Sequence, residues 1–372
     1  MMIPNSSVII YMQFYFLQGV NLKTKAAVQF TLDGPLELVD LEIPDPRENQ
    51  VIVKMYSSGV CHSQLHQMAN PNLPRPLVLG HEGTGIVTKT GKNVSHVSEG
   101  DHVIVTWVKR VETQGAIPAE LSGASYHEIP VNGNVYTLGE DVLTNSDYVV
   151  PIDKEYPTDI SCIVGCAVLT GAGAVINTAQ VKPGESVAVF GVGGVGLCAI
   201  QAASISKANP VIAVDLDDEK LKFAQEFGAT HLINASQNDP IEQIKDITNG
   251  GVDYAFDAIG VKITNEQILE STRSGGSGAN NLGGTAVLIG LPHGNHTMSI
   301  PPRLFVGGQR LYKGSLGATY PDTDFPMFLD WYKNGQFPLD KLITKRYKFD
   351  EINEAYQSLS NGEILGRSIV VY

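Results

Sequence analysis

Cysteine is scarce in this chain of 372 residues, which contains only Cys61, Cys162, Cys166 and Cys198. Small secreted folds that depend on disulfides carry more cysteines, at close and regular spacings. The sequence therefore excludes a disulfide framework and favours a reducing compartment. We expect a cytoplasmic protein whose thiols are free for a metal site or for the core.

Basic residues are also few, with 26 Lys and Arg against 39 Asp and Glu and a formal net charge of −13. Binding to nucleic acid depends on clustered Lys and Arg side chains that neutralise phosphates. We therefore expect no nucleic-acid partner.

A hydrophobic run of membrane-spanning length is missing from the N-terminus. The apolar run at residues 8–20 is too short, because a bilayer span needs about 20 residues. Residues 1–7 also lack the Lys or Arg with which a secretory signal begins. We expect no membrane partner and interpret residues 1–22 as an N-terminal extension, ahead of a domain that begins near Lys23.

The length of the chain and the change in its pattern indicate two domains, since one hydrophobic core rarely grows beyond about 250–300 residues. Residues 24–60 and 77–106 predict short strands separated by turn signals, and residues 107–148 predict long surface loops. A helix is predicted at 159–180. Strands at 186–190, 210–215, 230–234, 252–257 and 285–290 then alternate with helices at 194–207, 217–228 and 240–249. This alternation predicts a parallel sheet, so the fold class is α/β with a β-rich domain beside a doubly wound one.

A glycine motif of the form G-x-G-x-x-G follows the first strand of this alternation and comprises Gly191, Gly193, Gly194, Val195 and Gly196. Between a strand and a helix, this pattern is typical of dinucleotide binding. Gly191 permits a tight turn, Gly193 lets backbone approach a pyrophosphate, and Gly196 lets helix and strand pack closely. The helix N-terminus offers free N–H groups to the phosphates.

The next predicted strand ends in Asp215, which we expect to select NAD over NADP. A carboxylate here accepts hydrogen bonds from the adenosine ribose and repels a 2′-phosphate. The following residues, Leu-Asp-Asp at 216–218, include no Arg to offset that repulsion. Lys220 could also reach the ribose, although a solvated helix Lys explains it equally well.

Cys61, His81 and Cys166 are candidate metal ligands. Two thiolates and one imidazole leave the fourth position of a tetrahedral zinc ion open for water or substrate, as in catalytic zinc sites. The three residues are far apart in sequence, so their spacing alone does not establish the set. Cys162 competes with Cys166, but the glycine-rich surroundings of Cys166 favour the latter, and we interpret Cys162 and Cys198 as core residues.

Together, these motifs resemble those of the zinc-containing medium-chain alcohol dehydrogenases, over nearly the whole chain from about residue 24. The resemblance rests on Gly59-Val-Cys-His-Ser63, Gly80-His-Glu-Gly83, Gly100-Asp-His-Val103, Gly165-Cys166 with Thr170-Gly171, and the glycine motif with Asp215. It implies a GroES-like catalytic domain at residues 23–167 and 317–372 and a Rossmann NAD-binding domain at residues 168–316. Zinc and nicotinamide would share the cleft between them.

The resemblance also implies roles for individual residues. Cys61, His81 and Cys166 match the zinc ligands, and Glu82 matches an acid that can approach the metal. Zinc lowers the pKa of a bound alcohol, and Ser63 matches the hydroxyl that receives its proton.

His66 matches the histidine that releases this proton, a role that suits a group titrating near neutral pH. His62 and Arg367 match contacts to the pyrophosphate. Thr170 matches a residue that lines the nicotinamide.

Two departures from the family pattern alter these expectations. No Cys occurs between Cys61 and Cys162, where many members hold a second, structural zinc with four cysteines. We therefore expect one catalytic zinc per chain and no structural zinc. The acid that often follows the relay hydroxyl and orients the histidine ligand is Gln64 here.

The sequence therefore predicts an NAD-dependent alcohol dehydrogenase that interconverts a primary or secondary alcohol and its aldehyde or ketone. Its partners would be this small substrate and further copies of the chain, in a homodimer or homotetramer. The alternatives are a zinc-free enone or quinone reductase of the same superfamily, a polyol dehydrogenase, and a non-catalytic dinucleotide-binding structural protein. We expect the substrate pocket to be lined by irregular segments around Trp107, Tyr126 and Leu316.

Overall fold

The computed structural model describes residues 21–110, 121–292, 294 and 296–372. The expected extension at residues 1–22 lies outside them except for its last two residues. Residues 111–120 of the expected loop segment lie outside them as well.

The first part of the chain is rich in β structure. Its elements are β1 (Leu22–Gln29), β2 (Leu36–Ile43), β3 (Gln50–Val60), α1 (His62–Met68), β4 (Leu77–Val78), β5 (Glu82–Thr90), β6 (His102–Thr106), β7 (Ser125–Tyr126), β8 (Ile129–Pro130), β9 (Asp141–Asn145) and β10 (Val149–Pro151).

Helices and strands alternate in the middle of the chain and recur near its end. The middle elements are α2 (Thr158–Ser161), α3 (Ala167–Gly173), β11 (Val187–Phe190), α4 (Gly194–Ile205), β12 (Val211–Asp215), α5 (Asp218–Ala224), β13 (His231–Asn234), α6 (Pro240–Thr248), β14 (Tyr254–Asp257), α7 (Lys262–Glu270), β15 (Thr285–Leu288), α8 (Arg303–Val306) and β16 (Leu311–Gly314). The last elements are α9 (Pro321–Lys333), α10 (Leu339–Leu342), β17 (Ile343–Lys348), α11 (Ile352–Ser360) and β18 (Arg367–Val371).

Two sheets form the β-rich unit. One has the strand order β4-β1-β2-β7-β8, and the other has the order β10-β6-β5-β3-β18-β17 with β9 also paired to β3. The C-terminal strands thus return to this unit, where Ile369 of β18 lies opposite Gly59 of β3. Residues that precede and follow the parallel sheet in sequence therefore build one structural unit.

The third sheet has six strands in the order β13-β12-β11-β14-β15-β16, and its neighbouring strands are all parallel. Its first strand, β11, is buried at all four residues, as expected when helices cover both faces of a sheet. The predicted α/β fold class is confirmed. The strand order reverses between β11 and β14, and in open α/β sheets ligands bind beyond the carboxyl ends of the strands at such a point.

The continuous helix predicted over residues 159–180 is wrong. The helix breaks at Cys166, whose backbone has φ −145° and ψ −68°. A short 3₁₀ turn precedes the break at 162–165, and a π-helix follows α3 at 174–179. Irregular helix of this kind is frequent at functional sites, and here it makes Cys166 the N-terminal cap of α3.

Among the described residues, no single helix is long and apolar enough to cross a membrane. The two segments Thr158–Gly165 and Ala167–Ala179 meet the requirement only when joined, and they are bent by 52°.

Candidate metal and dinucleotide site

The side chains of Cys61, His81, Glu82 and Cys166 meet at one point, with their potential ligand atoms all within 4.8 Å of one another. Each stands at the end of an element: Cys61 caps α1, Glu82 begins β5 directly after His81, and Cys166 caps α3. The distance from His81 Nε2 to Cys166 Sγ is 3.1 Å. Two thiols and an imidazole at this separation form a donor set suited to zinc.

The two thiols of this cluster titrate very differently. A hydrogen bond from Cys166, aided by His81 and Arg367, holds the pKa of Cys61 well below its usual range. The Cys61 sulfur and burial together raise the pKa of Cys166 well above its usual range. The thiolate is the form of cysteine that binds metals. The cluster therefore favours the metal-binding form of Cys61.

Gln64 connects two members of the cluster and is fully buried. Its Oε1 accepts a hydrogen bond from the backbone N–H of Cys61 at 2.9 Å. Its Nε2 lies 3.0 Å from Nδ1 of His81. This side chain therefore fixes the orientation of the His81 ring.

Glu82 is fully buried and forms an ion pair with Arg367, which is almost as buried. Its other carboxylate oxygen accepts a long hydrogen bond, 3.4 Å, from the backbone N–H of Ala167. A Cβ built on Gly59 would lie 2.4 Å from the carboxylate carbon of Glu82. The glycine before Val60 and Cys61 is therefore required to make room for this acid.

The glycine motif forms the turn from β11 into α4, with Gly193 as the N-cap. A Cβ on Gly196 would lie 1.8 Å from the carbonyl oxygen of Gly191, so this position excludes every larger residue. A Cβ on Gly193 would meet no atom within 4 Å. The backbone at Gly193 thus faces open space at a helix N-terminus, where phosphates bind.

Asp215 ends β12 beside this turn. Its carboxylate accepts hydrogen bonds from the backbone N–H groups of Val192 at 2.9 Å, Leu216 at 2.8 Å and Asp217 at 3.2 Å. These three bonds fix the carboxylate at the edge of the cleft. A carboxylate has about four acceptor positions, so it retains capacity for a ribose hydroxyl.

A single cleft of about 1040 Å³ joins the two groups of residues. It is lined by fourteen of the sixteen site residues expected from the sequence: Cys61, His62, Ser63, His66, His81, Cys166, Thr170, Gly191, Gly193, Gly194, Val195, Asp215, Lys220 and Arg367. The other two, Glu82 and Gly196, are buried behind its wall.

Two family descriptions match the chain, "Alcohol dehydrogenase GroES-like domain" over residues 47–154 and "Zinc-binding dehydrogenase" over residues 194–334. An S-(hydroxymethyl)glutathione dehydrogenase of Escherichia coli is 32% identical over 378 aligned residues, which cover 94% of this chain and all of the relative. The chain belongs to the zinc-dependent medium-chain alcohol dehydrogenases.

Solved structures resemble this dehydrogenase over the same extent. An alcohol dehydrogenase zinc-binding domain protein from Burkholderia ambifaria is 29% identical, with a TM-score of 0.86. A benzyl alcohol dehydrogenase from Acinetobacter calcoaceticus is 29% identical, with a TM-score of 0.85. The match covers 94% of this chain and 99% of each structure.

The other two cysteines of the dehydrogenase lie outside the cluster, as expected for core residues. The thiol of Cys162 donates a hydrogen bond to the carbonyl of Asp159 at 3.2 Å, and burial raises its pKa to about 12. Cys198 is fully buried in α4.

The substrate side of the cleft was only partly predictable. Trp107 and Leu316 line it, but Tyr126 does not. The segments on either side of Tyr126 contribute Leu121 and Asn132 to the lining, whereas the Tyr126 ring itself packs 5.1 Å from that of Phe30 in the β-rich unit. Leu121 and Val135 also line the cleft, and no motif or periodicity in the sequence marks them.

The structure also reveals a role for Asp257 that sequence reasoning missed. Its buried carboxylate accepts hydrogen bonds from the backbone N–H groups of Ile259 and Gly260 and from the side chains of Thr264 and Asn265. Burial raises its pKa. Asp257 thereby anchors the segment after β14 that forms part of the cleft wall. Its place at the carboxyl end of a predicted strand was the available signal.

Proposed function

We propose that this dehydrogenase transfers hydride reversibly between a primary or secondary alcohol and NAD, giving an aldehyde or ketone, with one catalytic zinc ion per chain. The observation that supports this most strongly is the single cleft lined by both the Cys-His cluster and the glycine turn. An alcohol carbon and a nicotinamide can meet only where both sites open into one space.

The cluster fits zinc through Cys61, His81 and Cys166. Three ligands leave one coordination position open for an alcohol, and the ion pair with Arg367 keeps Glu82 from being a fourth free ligand. When bound, zinc supplies a positive charge that lowers the pKa of the alcohol. We propose no structural zinc, because no Cys lies between Cys61 and Cys162.

The glycine turn fits a dinucleotide. We assign the pyrophosphate to the backbone at Gly191–Gly196, with His62 and Arg367 supplying positive charge. Asp215, with Lys220 nearby, would hold the ribose and disfavour the additional phosphate of NADP. Thr170 would line the nicotinamide.

Ser63 and His66 would carry the proton away from the alcohol. Ser63 Oγ lies 3.5 Å from Cys61 Sγ and lines the cleft, as His66 does. The hydroxyl can accept the alcohol proton at Oγ while it donates its own. His66 would receive the proton that leaves Ser63 and release it to solvent.

We also propose the domain division at residues 23–167 with 317–372 and 168–316, and a cytoplasmic location, which four unpaired thiols support. A homodimer or homotetramer is proposed because apolar side chains are exposed at Val306 of α8 and at Leu311 of the edge strand β16. A zinc-free reductase is less well supported, since it has no use for the Cys-His cluster.

The function is tested by measuring alcohol-dependent reduction of NAD and of NADP together with the zinc content of the same sample. We expect turnover with NAD and about one zinc per chain. Cys166→Ser should lose both zinc and turnover while it still binds NAD. Cys162→Ser, a matched change in a buried cysteine four residues away, should keep both. Full turnover by a zinc-free Cys166→Ser enzyme, or preference for NADP, would contradict the proposal.

A further inference from the structure

Apart from Gln67 and the residues assigned to the metal, the proton path and the nucleotide, the wall that the β-rich unit contributes to the cleft is mostly apolar. It includes Leu73, Pro74, Leu79, Trp107, Leu121 and Val135. Trp107 lies beside Cys166, so the apolar wall extends to the metal cluster. Asn132 and Asn134 add polar groups without charge. A substrate substituent that extends from the metal cluster along this wall therefore contacts apolar side chains and uncharged amide groups.

Lys and Arg side chains are almost absent from the described lining of the cleft, and its histidines, His62, His66 and His81, are residues already assigned to the nucleotide, the proton path and the metal. The segments outside the described residues contain no Lys or Arg, so the structure accounts for all 26 of them. Among these, Lys220 and Arg367 alone line the cleft. Lys220 stands near Asp215 at the nucleotide end, and Arg367 is paired with Glu82.

Other cations close to this wall in sequence are already engaged. Arg110 forms two hydrogen bonds of 2.6 Å with the carboxylate of Asp322. Lys109 lies over the ring of Tyr148 at 5.8 Å. A substrate carboxylate would therefore leave water without gaining an ionic partner, which is unfavourable.

Two large apolar side chains that line the cleft are exposed, and exposed apolar surface gathered in a groove marks a binding site in a way that scattered exposed residues do not. Leu316 is 72% exposed and Ile263 is 62% exposed, and both line the cleft. Leu316 is close to Trp107, because a Cβ on the neighbouring Gly317 would lie 2.7 Å from the indole ring. Leu316, Leu121 and Trp107 thus offer an uncovered apolar surface near the metal cluster.

We infer that the substrate is an uncharged alcohol with a large apolar group, represented by an aromatic ring, and that charged thiol adducts are excluded. This inference rests on the proposed function and narrows its substrate class. The Escherichia coli relative is named for S-(hydroxymethyl)glutathione, a peptide adduct that carries two carboxylates and an ammonium group. Apart from Lys220 at the nucleotide end and Arg367 in its pair with Glu82, no Lys or Arg of the described residues lines this cleft, so we expect the two enzymes to differ in substrate.

The test compares kcat/KM for benzyl alcohol, ethanol and S-(hydroxymethyl)glutathione with NAD on one zinc-loaded preparation. We expect benzyl alcohol to exceed ethanol by about tenfold or more, since each apolar group that fits a pocket contributes about that factor. The glutathione adduct should fall at least about a hundredfold below benzyl alcohol, because its buried charges stay unpaired.

Leu316→Ala should raise KM for benzyl alcohol about tenfold with little change in kcat. Leu32→Ala removes the same side-chain atoms from an exposed leucine outside the cleft, and it should change neither KM nor kcat. Equal or better use of the glutathione adduct would overturn this inference and leave the proposed function intact. Failure to oxidise any alcohol with NAD would overturn both.

Discussion

At the scale of single residues, Gln64 introduces a conflict between two hydrogen-bond donors. Its Oε1 serves the N–H of Cys61, so its NH₂ group faces Nδ1 of His81. That arrangement requires Nδ1 to accept and places the ring proton on Nε2, the atom that faces Cys166. A metal bound at Nε2 needs the lone pair there and moves the proton to Nδ1.

When a metal binds at Nε2 of His81, the NH₂ group of Gln64 faces another hydrogen-bond donor in either orientation of its side-chain amide. With its present orientation the NH₂ group meets Nδ1–H of His81, and after a flip it meets N–H of Cys61. A carboxylate accepts from both, because it carries acceptors only.

We therefore expect Gln64→Glu to bind zinc about 10–100-fold more tightly than the wild type, the usual range for partners of metal ligands. The measurement is a titration of zinc-free protein against a coloured chelator. Gln67→Glu, which adds the same charge to an exposed position of α1, should change zinc affinity far less. Equal or weaker binding by Gln64→Glu, with NAD binding retained as a check on folding, would contradict the expectation.

Much of the site was predictable from residues because its members lie in short, distinctive motifs. The pairing of Glu82 with Arg367 could not be predicted from the sequence, because these residues are 285 positions apart and no local pattern connects them. The sequence suggested a metal contact for Glu82 and a phosphate contact for Arg367, and their burial together shows that each also neutralises the other. The role of Arg367 in phosphate binding stays a prediction.

At the scale of elements, the alternating pattern predicted every strand of the parallel sheet except β16 at one of its two edges. Inner strands such as β11 are continuous apolar runs because both faces are covered. β16 has no such run, since three of its four residues are exposed, and it was not predicted. The break at Cys166 was also missed, because local helical periodicity continues through it while tertiary contacts to the cluster determine the backbone.

The turn between β11 and α4 allows folding and binding to be separated by mutation. Gly196→Ala should lower the free energy of unfolding by about 2 kcal/mol, because the new methyl group overlaps the Gly191 carbonyl. Gly193→Ala should leave it nearly unchanged but weaken NAD binding, since its methyl group enters only the open space at the helix N-terminus. Urea unfolding and NAD titration of both variants check this. Normal NAD affinity in the Gly193→Ala protein would contradict the assignment of the pyrophosphate to this turn.

At the scale of the whole molecule, the cluster connects distant parts of the chain. Its ligands follow β3, precede β5 and cap α3. Behind it, Arg367 of β18 packs against Gly194 of α4, where a Cβ would lie 2.1 Å from its side chain. Metal binding and nucleotide binding thus act on the same junction between the two units.

Removal of zinc should therefore destabilise the molecule as a whole. A ligand present at 100 times its Kd stabilises the native state by about 2.7 kcal/mol, which for a chain of this size corresponds to a Tm change of about 3–4 °C. Calorimetry with and without a chelator measures it. The Cys166→Ser variant serves as the control, and a chelator-induced shift of equal size in that variant would contradict a zinc-specific effect.

The return of β18 to the first unit bears on how the chain is made. The parallel sheet is built from residues 187–314, so it can close while the ribosome is still adding α9 to β18. The sheet around β3 stays incomplete until β18 pairs with it. Glu82 therefore spends most of the synthesis of its own chain without Arg367, and every strand of the parallel sheet is synthesised before the metal cluster acquires its counter-charge.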